Sequence, residues 1–267
     1  MQEYGHEYIS SNKNQHVQHI RELLAKRASR ETHESFIVEG VRLCEEAIHA
    51  GYLPRLVMYS EDCSPRGMEL VNKAHTAGSK VFCVKKDVLD ALSGTESTQG
   101  ILMAMPMTPL PLPEDLHFIV IIDQLRDPGN LGTILRSSVA AGAQAVLCTP
   151  GSVDAWSPKV VRSAMGAHFH LPVLQKEWHE IHALCKKRPH PLTVFLAESE
   201  KGTALWQADL KKPIALVIGG EADGASDEVK HGVDALLNIP MPGGFESLNA
   251  AVAASIILFE VVRQRNS

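Results

Sequence analysis

Short apolar runs alternate with amphipathic stretches along most of the chain, and this pattern predicts an α/β protein. The clearest run, FIVIID at 118–123, is almost wholly apolar, which favours a strand buried on both faces of a parallel sheet. Strands that alternate with helices predict a mostly parallel sheet with helices on both faces. The remaining elements of this half are expected to be strands at 145–149, 193–197, 214–218 and 236–239 and helices at 133–141 and about 247–265.

The first hundred residues carry the same alternation on a smaller scale. A basic helix is predicted over 17–30, because Ile20, Leu23 and Leu24 form an apolar stripe at helical spacing. The other predicted elements are helices at 41–50 and 66–77 and strands at 36–38, 55–59, 80–84 and 100–104.

A proline-rich segment separates the two halves. Its prolines remove backbone donors and favour extended chain, as in a linker between domains; they are Pro106, Pro109, Pro111 and Pro113. We therefore expect a small N-terminal domain over 1–105, a linker over 106–116 and a larger domain over 117–267.

Composition narrows the class of protein. With 267 residues, 45% of them hydrophobic and 21% charged, the chain can bury a sizeable core and is not disordered throughout. No apolar run reaches the roughly 18 residues that span a bilayer, so no membrane association is expected. Five scattered cysteines without a C-x-x-C pair are typical of reduced thiols, which indicates a cytoplasmic location. The net charge of -5 does not favour a nucleic-acid binder, but it averages over surfaces that can differ.

Three segments follow predicted strands, where ligands bind in open α/β sheets. The first, DQLRDPGNLGTILR at 123–136, contains a tight turn at Pro128 and Gly129, an amide at Asn130 and a cation at Arg136. A cation near a helix N-terminus is tolerated where an anion binds. A βα turn with a surface arginine explains the same pattern equally well.

The second segment, GGEADG at 219–224, places two glycines and Glu221 directly after a buried strand, where backbone amides can face a ligand. It lacks the spacing of the dinucleotide fingerprint G-x-G-x-x-G, so nothing favours a nucleotide-dependent oxidoreductase. The third, IPMPGGFESLN at 239–249, is a stiff loop in which Ser247 or Asn249 is expected to cap the last helix. Each of these two segments is also explained as an ordinary loop.

Other candidate groups carry weaker signals. No metal site is predicted, because two histidine pairs lack further ligands at a recognised spacing; the pairs are His168 with His170 and His179 with His182. The three tryptophans are interpreted as packing residues rather than base-stacking platforms, at Trp156, Trp178 and Trp206.

Taken in order, the three segments resemble the three motifs of the SpoU (TrmH-type) family of RNA ribose 2'-O-methyltransferases, in the SPOUT superfamily. The motifs are D-P-G-N-L-G-x-I-x-R, G-x-E-x-x-G and I-P-M-x-G-x-x-x-S-L-N, and the likeness covers about residues 118–265. The N-terminal part resembles the L30e-like substrate-recruiting domain of many members, through ISSNK at 9–13 and FIVEGVR at 36–42. The resemblance implies a trefoil knot in the C-terminal domain and a homodimer formed through that domain.

The resemblance also implies the cofactor, S-adenosylmethionine, and the residues that hold and use it. Small or apolar residues would bind the cofactor largely through backbone groups, namely Gly219, Gly220, Ile239, Met241 and Leu248. Polar residues would serve methyl transfer to a ribose 2'-oxygen, namely Asn130, Arg136, Glu221, Ser247 and Asn249. Arg136 is often assigned as the base in related enzymes, but a guanidinium is protonated at any ordinary pH. It can instead hold the neighbouring phosphate and stabilise the alkoxide.

Structured RNA is the expected partner, with large-subunit rRNA favoured over tRNA because two-part chains are common among enzymes that act on it. A track of basic residues is predicted to hold the phosphates, namely Lys13, Arg21, Lys26, Arg27, Arg30 and Arg162. A solvated helix face explains the N-terminal cluster equally well. A different-class alternative is a ribosome assembly factor that binds RNA without turnover, and the intact set of polar motif residues argues against it.

Overall fold

The computed structural model describes most of the chain, namely residues 6–94, 99–108, 110–221 and 224–267. Outside these residues lie 1–5 and 95–98 of the predicted N-terminal domain, Pro109 of the predicted linker, and Ala222 and Asp223 of the second motif. The chain divides into two compact units: Met1–Thr108 with Trp156–Phe169, and Pro109–Ala155 with His170–Ser267.

The described part of the first 108 residues forms a sheet with helices around it. The sheet order is β1-β4-β3-β5-β2, in which β5 runs antiparallel to β3 and β2 while the other pairs are parallel. The elements are β1 (Glu7–Ile9), α1 (Gln15–Ala25), α2 (Arg27–His33), β2 (Ser35–Glu39), α3 (Val41–His49), β3 (Leu56–Tyr59), α4 (Pro65–Thr76), β4 (Lys80–Val84), α5 (Lys86–Asp90) and β5 (Ile101–Pro106).

The predicted helix over 17–30 is in fact two helices, so that prediction is wrong in its extent. Lys26 has extended backbone angles (φ -121°, ψ 124°), which end α1 and begin α2. The guanidinium of Arg30 donates to the carbonyl oxygen of Leu23 over 2.6 Å. This bond satisfies one of the carbonyls that the end of a helix leaves open. The break therefore depends on a contact from seven residues further along the chain.

The rest of the chain forms a seven-stranded sheet among the described residues, with the order β10-β12-β9-β11-β6-β7-β8. Every neighbouring pair is parallel, which confirms the predicted fold class, an α/β protein with a mostly parallel sheet. The elements are β6 (Phe118–Ile122), α6 (Pro128–Ala140), β7 (Ala145–Cys148), α7 (Pro158–Ala164), β8 (Val173–Gln175), α8 (Trp178–Lys186), β9 (Thr193–Glu198), β10 (Thr203–Ala204), β11 (Ile214–Ile218), α9 (Asp227–Gly232), β12 (Ala235–Asn238) and α10 (Ala250–Arg265).

Strands β6 and β11 lie side by side at the centre of this sheet, and all their residues are buried. Their almost purely apolar sequences therefore match burial on both faces, as expected for central parallel strands. Because the strands are parallel, the carboxyl ends of β6, β11, β9 and β12 meet at one edge. The three motifs follow β6, β11 and β12, so this edge gathers them.

Two helix starts differ from the sequence prediction. Helix α6 begins at Pro128 rather than 133, because Asp127 caps it and proline suits the first helical position. Helix α10 begins at Ala250 rather than 247, and Asn249 is its cap. Of the two predicted caps, Asn249 is thus the one used, and Ser247 lies in the loop before it.

Residues 156–169 complete the core of the first unit, although the sequence predicts them in the C-terminal domain. Trp156 packs on Phe36 with 4.8 Å between ring centroids, and Phe169 joins the same cluster.

Trp178 is buried as predicted, whereas Trp206 is 54% exposed and departs from the predicted packing role. Over the described residues, none of the helices has both the length and the apolar character needed to cross a bilayer.

Candidate active site

A cavity of about 540 Å³ lies in the second unit at the carboxyl ends of β9, β11 and β12. All the residues predicted to bind the cofactor line it, namely Gly219, Gly220, Ile239, Met241 and Leu248. Three of the predicted polar residues line it too: Glu221, Ser247 and Asn249. The fold therefore brings the second and third motifs around one space.

The glycines of the second motif are required by close packing of backbone on backbone. A Cβ atom on Gly219 would lie 2.6 Å from the amide nitrogen of Ala225, and one on Gly220 would lie 2.6 Å from the carbonyl oxygen of Gln124. Gly220 and Gly224 also exchange backbone hydrogen bonds of 3.0 and 3.1 Å. The amide of Gly220 thus bonds to the protein itself, which corrects the expectation that it faces a ligand.

Side chains from all three motifs are joined by hydrogen bonds. The Asn130 side-chain amide donates to the Glu221 carboxylate, and the Asn249 amide donates to Asn130 Oδ1 over 3.0 Å. The backbone of Asn130 is itself held, since its N–H donates to the carboxylate of the cap residue Asp127 over 2.7 Å. Asn130 does not line the cavity, but its side-chain bond to Glu221 connects it to the cavity wall.

Arg136 lies apart from this hydrogen-bonded group. It is exposed on α6 and, within the described part of the chain, makes no hydrogen bond or ion pair. It does not line the cavity either. A cation that the fold leaves at the surface without a carboxylate can receive an anion from a ligand.

Comparisons with known proteins decide the family. The model of the SpoU rRNA Methylase family matches residues 117–259, more than half of the chain. The chain belongs to this family. A second model, the MRM3-like substrate binding domain, matches residues 14–103. The recognition made from the three motifs is confirmed, and with it the predicted class of enzyme, an RNA methyltransferase.

Individual relatives resemble this SpoU methylase over most of their length. The 23S rRNA (guanosine(2553)-2'-O)-methyltransferase RlmP of Bacillus subtilis is 30% identical over 95% of this chain and 98% of its own. The mitochondrial rRNA methyltransferase 3 of Mus musculus is 32% identical over 92% of this chain and 71% of its own. Among solved structures, the SpoU methyltransferase AviRb of Streptomyces viridochromogenes, in complex with AdoMet, has a TM-score of 0.88 at 30% identity. That match covers 96% of this chain and 99% of AviRb.

Asp123 of this SpoU methylase begins the first motif and lies outside the cavity lining, and the sequence predicts no role for it. It directly follows β6 and is only 2% exposed. One carboxylate oxygen accepts from Thr149 Oγ1 at 2.5 Å and the other accepts from the backbone N–H of Ser226 at 2.6 Å. Asp123 thus connects the first motif to the residues that directly follow the second motif, the glycine loop at 219–224. The sequence did contain a signal for this role, because Asp123 directly follows an apolar strand. Aspartate is rarely buried unless it is paired, so a buried and hydrogen-bonded carboxylate could have been predicted there.

Glu198 and Lys230 also line the cavity and lie outside the three motifs. Glu198 ends β9, next to β11, and Lys230 lies on α9. The two side chains bring opposite charges to the same cavity. Among the described residues there is no group of three or more histidine, cysteine or acidic side chains placed to hold a metal.

The basic residues predicted to bind RNA in this SpoU methylase have different surroundings. Lys13, Lys26 and Arg27 are exposed, whereas Arg21 and Arg162 are half-buried. Arg162 lies 3.8 Å from the buried carboxylate of Glu39. The others with protein partners meet them at the surface: Arg27 pairs with Glu31 at 2.7 Å, Lys26 pairs with Glu22 at 3.9 Å, and Arg21 donates to Asn12. Exposed pairs of this kind exchange partners readily, because each contributes little.

Arg30 requires a correction. Its side chain is only 4% exposed, and its guanidinium bonds to the carbonyl oxygen of Leu23 at the end of α1. A buried guanidinium that already donates to backbone cannot reach a phosphate at the surface. Arg30 therefore has a structural role, and we omit it from the RNA-binding residues.

Proposed function

We propose that this SpoU methylase transfers the methyl group of S-adenosylmethionine to a ribose 2'-oxygen of large-subunit rRNA. The observation that carries the proposal is that the second and third motifs line one cavity and that Asn130 of the first motif is hydrogen-bonded to both of them. RlmP, whose length this chain spans almost completely, is named a 23S rRNA 2'-O-methyltransferase. AviRb, which shares the fold over nearly the whole chain, is named as a complex with AdoMet.

The residues of the cavity fit S-adenosylmethionine. Ile239, Met241 and Leu248 offer an apolar lining for adenine, and the glycine loop lets backbone approach closely. Glu198 can pair with the ammonium group and Lys230 with the carboxylate of the methionine part of the cofactor. When bound, this cofactor supplies a methyl group on a positively charged sulfur, which is already activated for transfer.

The protein must place the ribose hydroxyl, accommodate its proton and stabilise the developing alkoxide. We assign the binding of the adjacent phosphate and the alkoxide to Arg136, because its guanidinium is exposed and its planar fork matches phosphate. Since a guanidinium keeps its proton, the hydroxyl proton passes to phosphate or water rather than to Arg136. Glu221 and Ser247 present an acceptor and a hydroxyl at the cavity for ribose and cofactor.

The first unit is proposed to recruit the RNA. Its sequence matches the MRM3-like substrate binding domain, and its sheet and helices are consistent with the L30e-like fold that the sequence predicts. Lys13, Lys26 and Arg27 supply exposed positive charge on its N-terminal helices. Structured RNA, which proteins recognise by shape and by its 2'-hydroxyls, suits such a domain.

The second unit is proposed to form a homodimer and to carry the trefoil knot expected of the family. Several large apolar side chains on and just before α10 are exposed, with fractions of 37–78%, namely Phe245, Leu248, Val252 and Phe259. An exposed apolar patch marks an interaction site, and a second copy would cover this one.

For the domain limits we retain 1–105, 106–116 and 117–267, with residues 156–169 packing in the first unit. A ribosomal substrate and cysteines that form no disulfide fit the cytoplasmic location expected from the sequence.

The test is transfer of labelled methyl from S-adenosylmethionine to RNA that lacks the modification, followed by digestion to nucleosides and mass spectrometry. We expect a 2'-O-methylated nucleoside in the large-subunit rRNA fraction, formed by the natural protein and not by Arg136→Ala. Label in the tRNA fraction would support the tRNA alternative. Cofactor binding without transfer to naked RNA or ribosomal particles would instead support a non-catalytic assembly factor.

A further inference from the structure

We propose that Asn249 and Asn130 are positioning residues whose side-chain amides form a chain of fixed direction that holds Glu221 at the cavity. This inference rests on the proposed function, in which Glu221 faces cofactor and ribose. The two asparagines orient Glu221 and do not themselves contact the reacting atoms. The chain starts at the N-terminus of α10 and ends on the carboxylate.

The start of the chain is fixed by the helix cap. Asn249 Oδ1 accepts from the backbone N–H groups of Ala251 at 3.0 Å and Val252 at 3.2 Å. These are two of the N–H groups that the first turn of a helix leaves without an internal partner. If the amide were turned over, its NH2 group would face those two donors. Only one orientation of the Asn249 side chain is therefore compatible with the cap.

This orientation determines the next one. With Oδ1 engaged by the helix, the Nδ2 group of Asn249 points away from it and donates to Asn130 Oδ1 over 3.0 Å. Because Asn130 Oδ1 accepts this bond, the Nδ2 group of Asn130 points to the other side, where it donates to Glu221 Oε1. A carboxylate accepts and does not donate, so the chain ends there. Every bond has the correct polarity in this one direction.

The chemical value of this arrangement is that neutral groups hold the carboxylate. Glu221 lines the cavity and has no ion pair among the described residues. Amide donors fix its position without cancelling its negative charge, as an arginine or lysine would. A carboxylate with its full charge suits a cofactor that carries both a sulfonium and an ammonium group. The side chain of Asn249 thus couples the folding of α10 to the electrostatics of the cavity.

Two substitutions separate the chain from the cap. Asn249→Asp and Asn249→Ser both keep an oxygen that caps α10, because Asp and Ser are as favourable as Asn at this position. Neither has an amide that reaches Asn130. We expect kcat for methyl transfer to fall about threefold to tenfold, the scale of a lost hydrogen bond between neutral groups, with Tm within about 2 °C of the natural protein. The matched control is Ser64→Ala, which removes the cap that accepts from Gly67 N–H in the first unit. It is expected to lower Tm and leave kcat unchanged.

A double variant decides whether the two asparagines act in series. If Asn249 acts only through Asn130, adding Asn249→Asp to Asn130→Ala costs no more than about a further twofold in kcat, because the link is already broken. Independent roles would multiply the two losses instead. Multiplied losses, or full activity of both cap-retaining variants, would overturn the proposal while methyl transfer by the natural protein still upheld the proposed function. Absence of transfer by the natural protein would show that the proposed function itself is wrong.

Discussion

The two units of this SpoU methylase use their polar side chains in different ways. In the first unit, Arg27 pairs with a neighbour on its own helix and Arg30 is buried against backbone, although both belong to one basic run of sequence. In the second unit, Asn130, Glu221 and Asn249 come from distant segments and bond to one another at a cavity. A run of basic residues along a helix is therefore a poor predictor of where a ligand binds. Polar residues placed after successive parallel strands say much more, because the sheet brings those strand ends together.

The largest expected effect tests the tight packing of the glycine loop. Gly219→Ala would place a methyl group within 2.6 Å of the Ala225 amide nitrogen, so the backbone that forms the cavity wall must shift. We expect the Kd for S-adenosylmethionine, measured by calorimetry, to rise about 100-fold, the upper end of the cost of overpacking. The control is Gly243→Ala, since a Cβ atom there meets nothing within 4 Å. Equal affinities of the two variants would contradict the packing argument.

Asp123 tests whether the buried carboxylate joins the first two motifs. Asp123→Ala leaves Thr149 and the Ser226 N–H without their partner, so the free energy of unfolding should fall by about 3 kcal/mol and the cofactor Kd should rise about tenfold. Asp123→Asn can still accept from Ser226 and donate to the hydroxyl of Thr149. It is expected to remain within about 1 kcal/mol of the natural protein in urea unfolding. An asparagine variant as damaged as the alanine variant would show that charge, and not bonding geometry, matters at this position.

Arg136→Lys tests whether the exposed cation of the site works as a planar fork or as a point charge. We expect kcat to fall about tenfold or more, since an ammonium cannot match a phosphate at two points. The cofactor Kd should change less than about twofold, because Arg136 does not line the cavity. Arg263→Lys is the control, because this exposed arginine of α10 bonds to the buried Glu260 and not to the cavity, and it should leave kcat unchanged. Near-normal turnover by Arg136→Lys would rule out the proposed role.

Arg30 and Arg27 test the comparison within the first unit. Arg30→Ala removes a buried donor to the Leu23 carbonyl and should lower the free energy of unfolding by about 2 kcal/mol. Arg27→Ala breaks an exposed pair with Glu31 and should change it by less than about 0.5 kcal/mol. At a temperature where both variants are folded, only Arg27→Ala should weaken RNA binding, as measured by filter binding at low salt. A larger loss of RNA affinity in Arg30→Ala would contradict the purely structural role of Arg30.

The smallest expected effect is a pH dependence confined to the first unit. Burial and the neighbouring His33 hold the pKa of His19 below its usual value, and burial and His75 do the same to the pKa of His6. A histidine with a lowered pKa binds fewer protons when folded than when unfolded, so stability is lost as pH falls below about 6.5. We expect Tm to drop by a few degrees between about pH 7 and pH 5, and to drop less in His19→Gln. A drop of the same size in that variant would assign the effect to other groups.

The sequence predicts the second unit better than the first for a physical reason. Central parallel strands are buried on both faces, so FIVII and IALVI have to be apolar throughout, and this pattern is visible without any partner. The helix start at Pro128 and the break at Lys26 were missed, because a cap at Asp127 and a bond from Arg30 decide them. Local patterns place an element well, but its ends depend on which groups satisfy the last open backbone bonds.

The sequence by itself determined the α/β class, the order of the three motifs and the family to which they belong. These properties depend on the spacing of residues along the chain, which the sequence shows directly. The tertiary structure decided that residues 156–169 complete the core of the first unit, that Arg30 is buried and that Asp123 holds the residues that follow the glycine loop. It also decided that Asn130 bonds to residues 91 and 119 positions away, Glu221 and Asn249. Such contacts depend on which strands become neighbours, and that choice is made by burial of the whole apolar core rather than by any one segment.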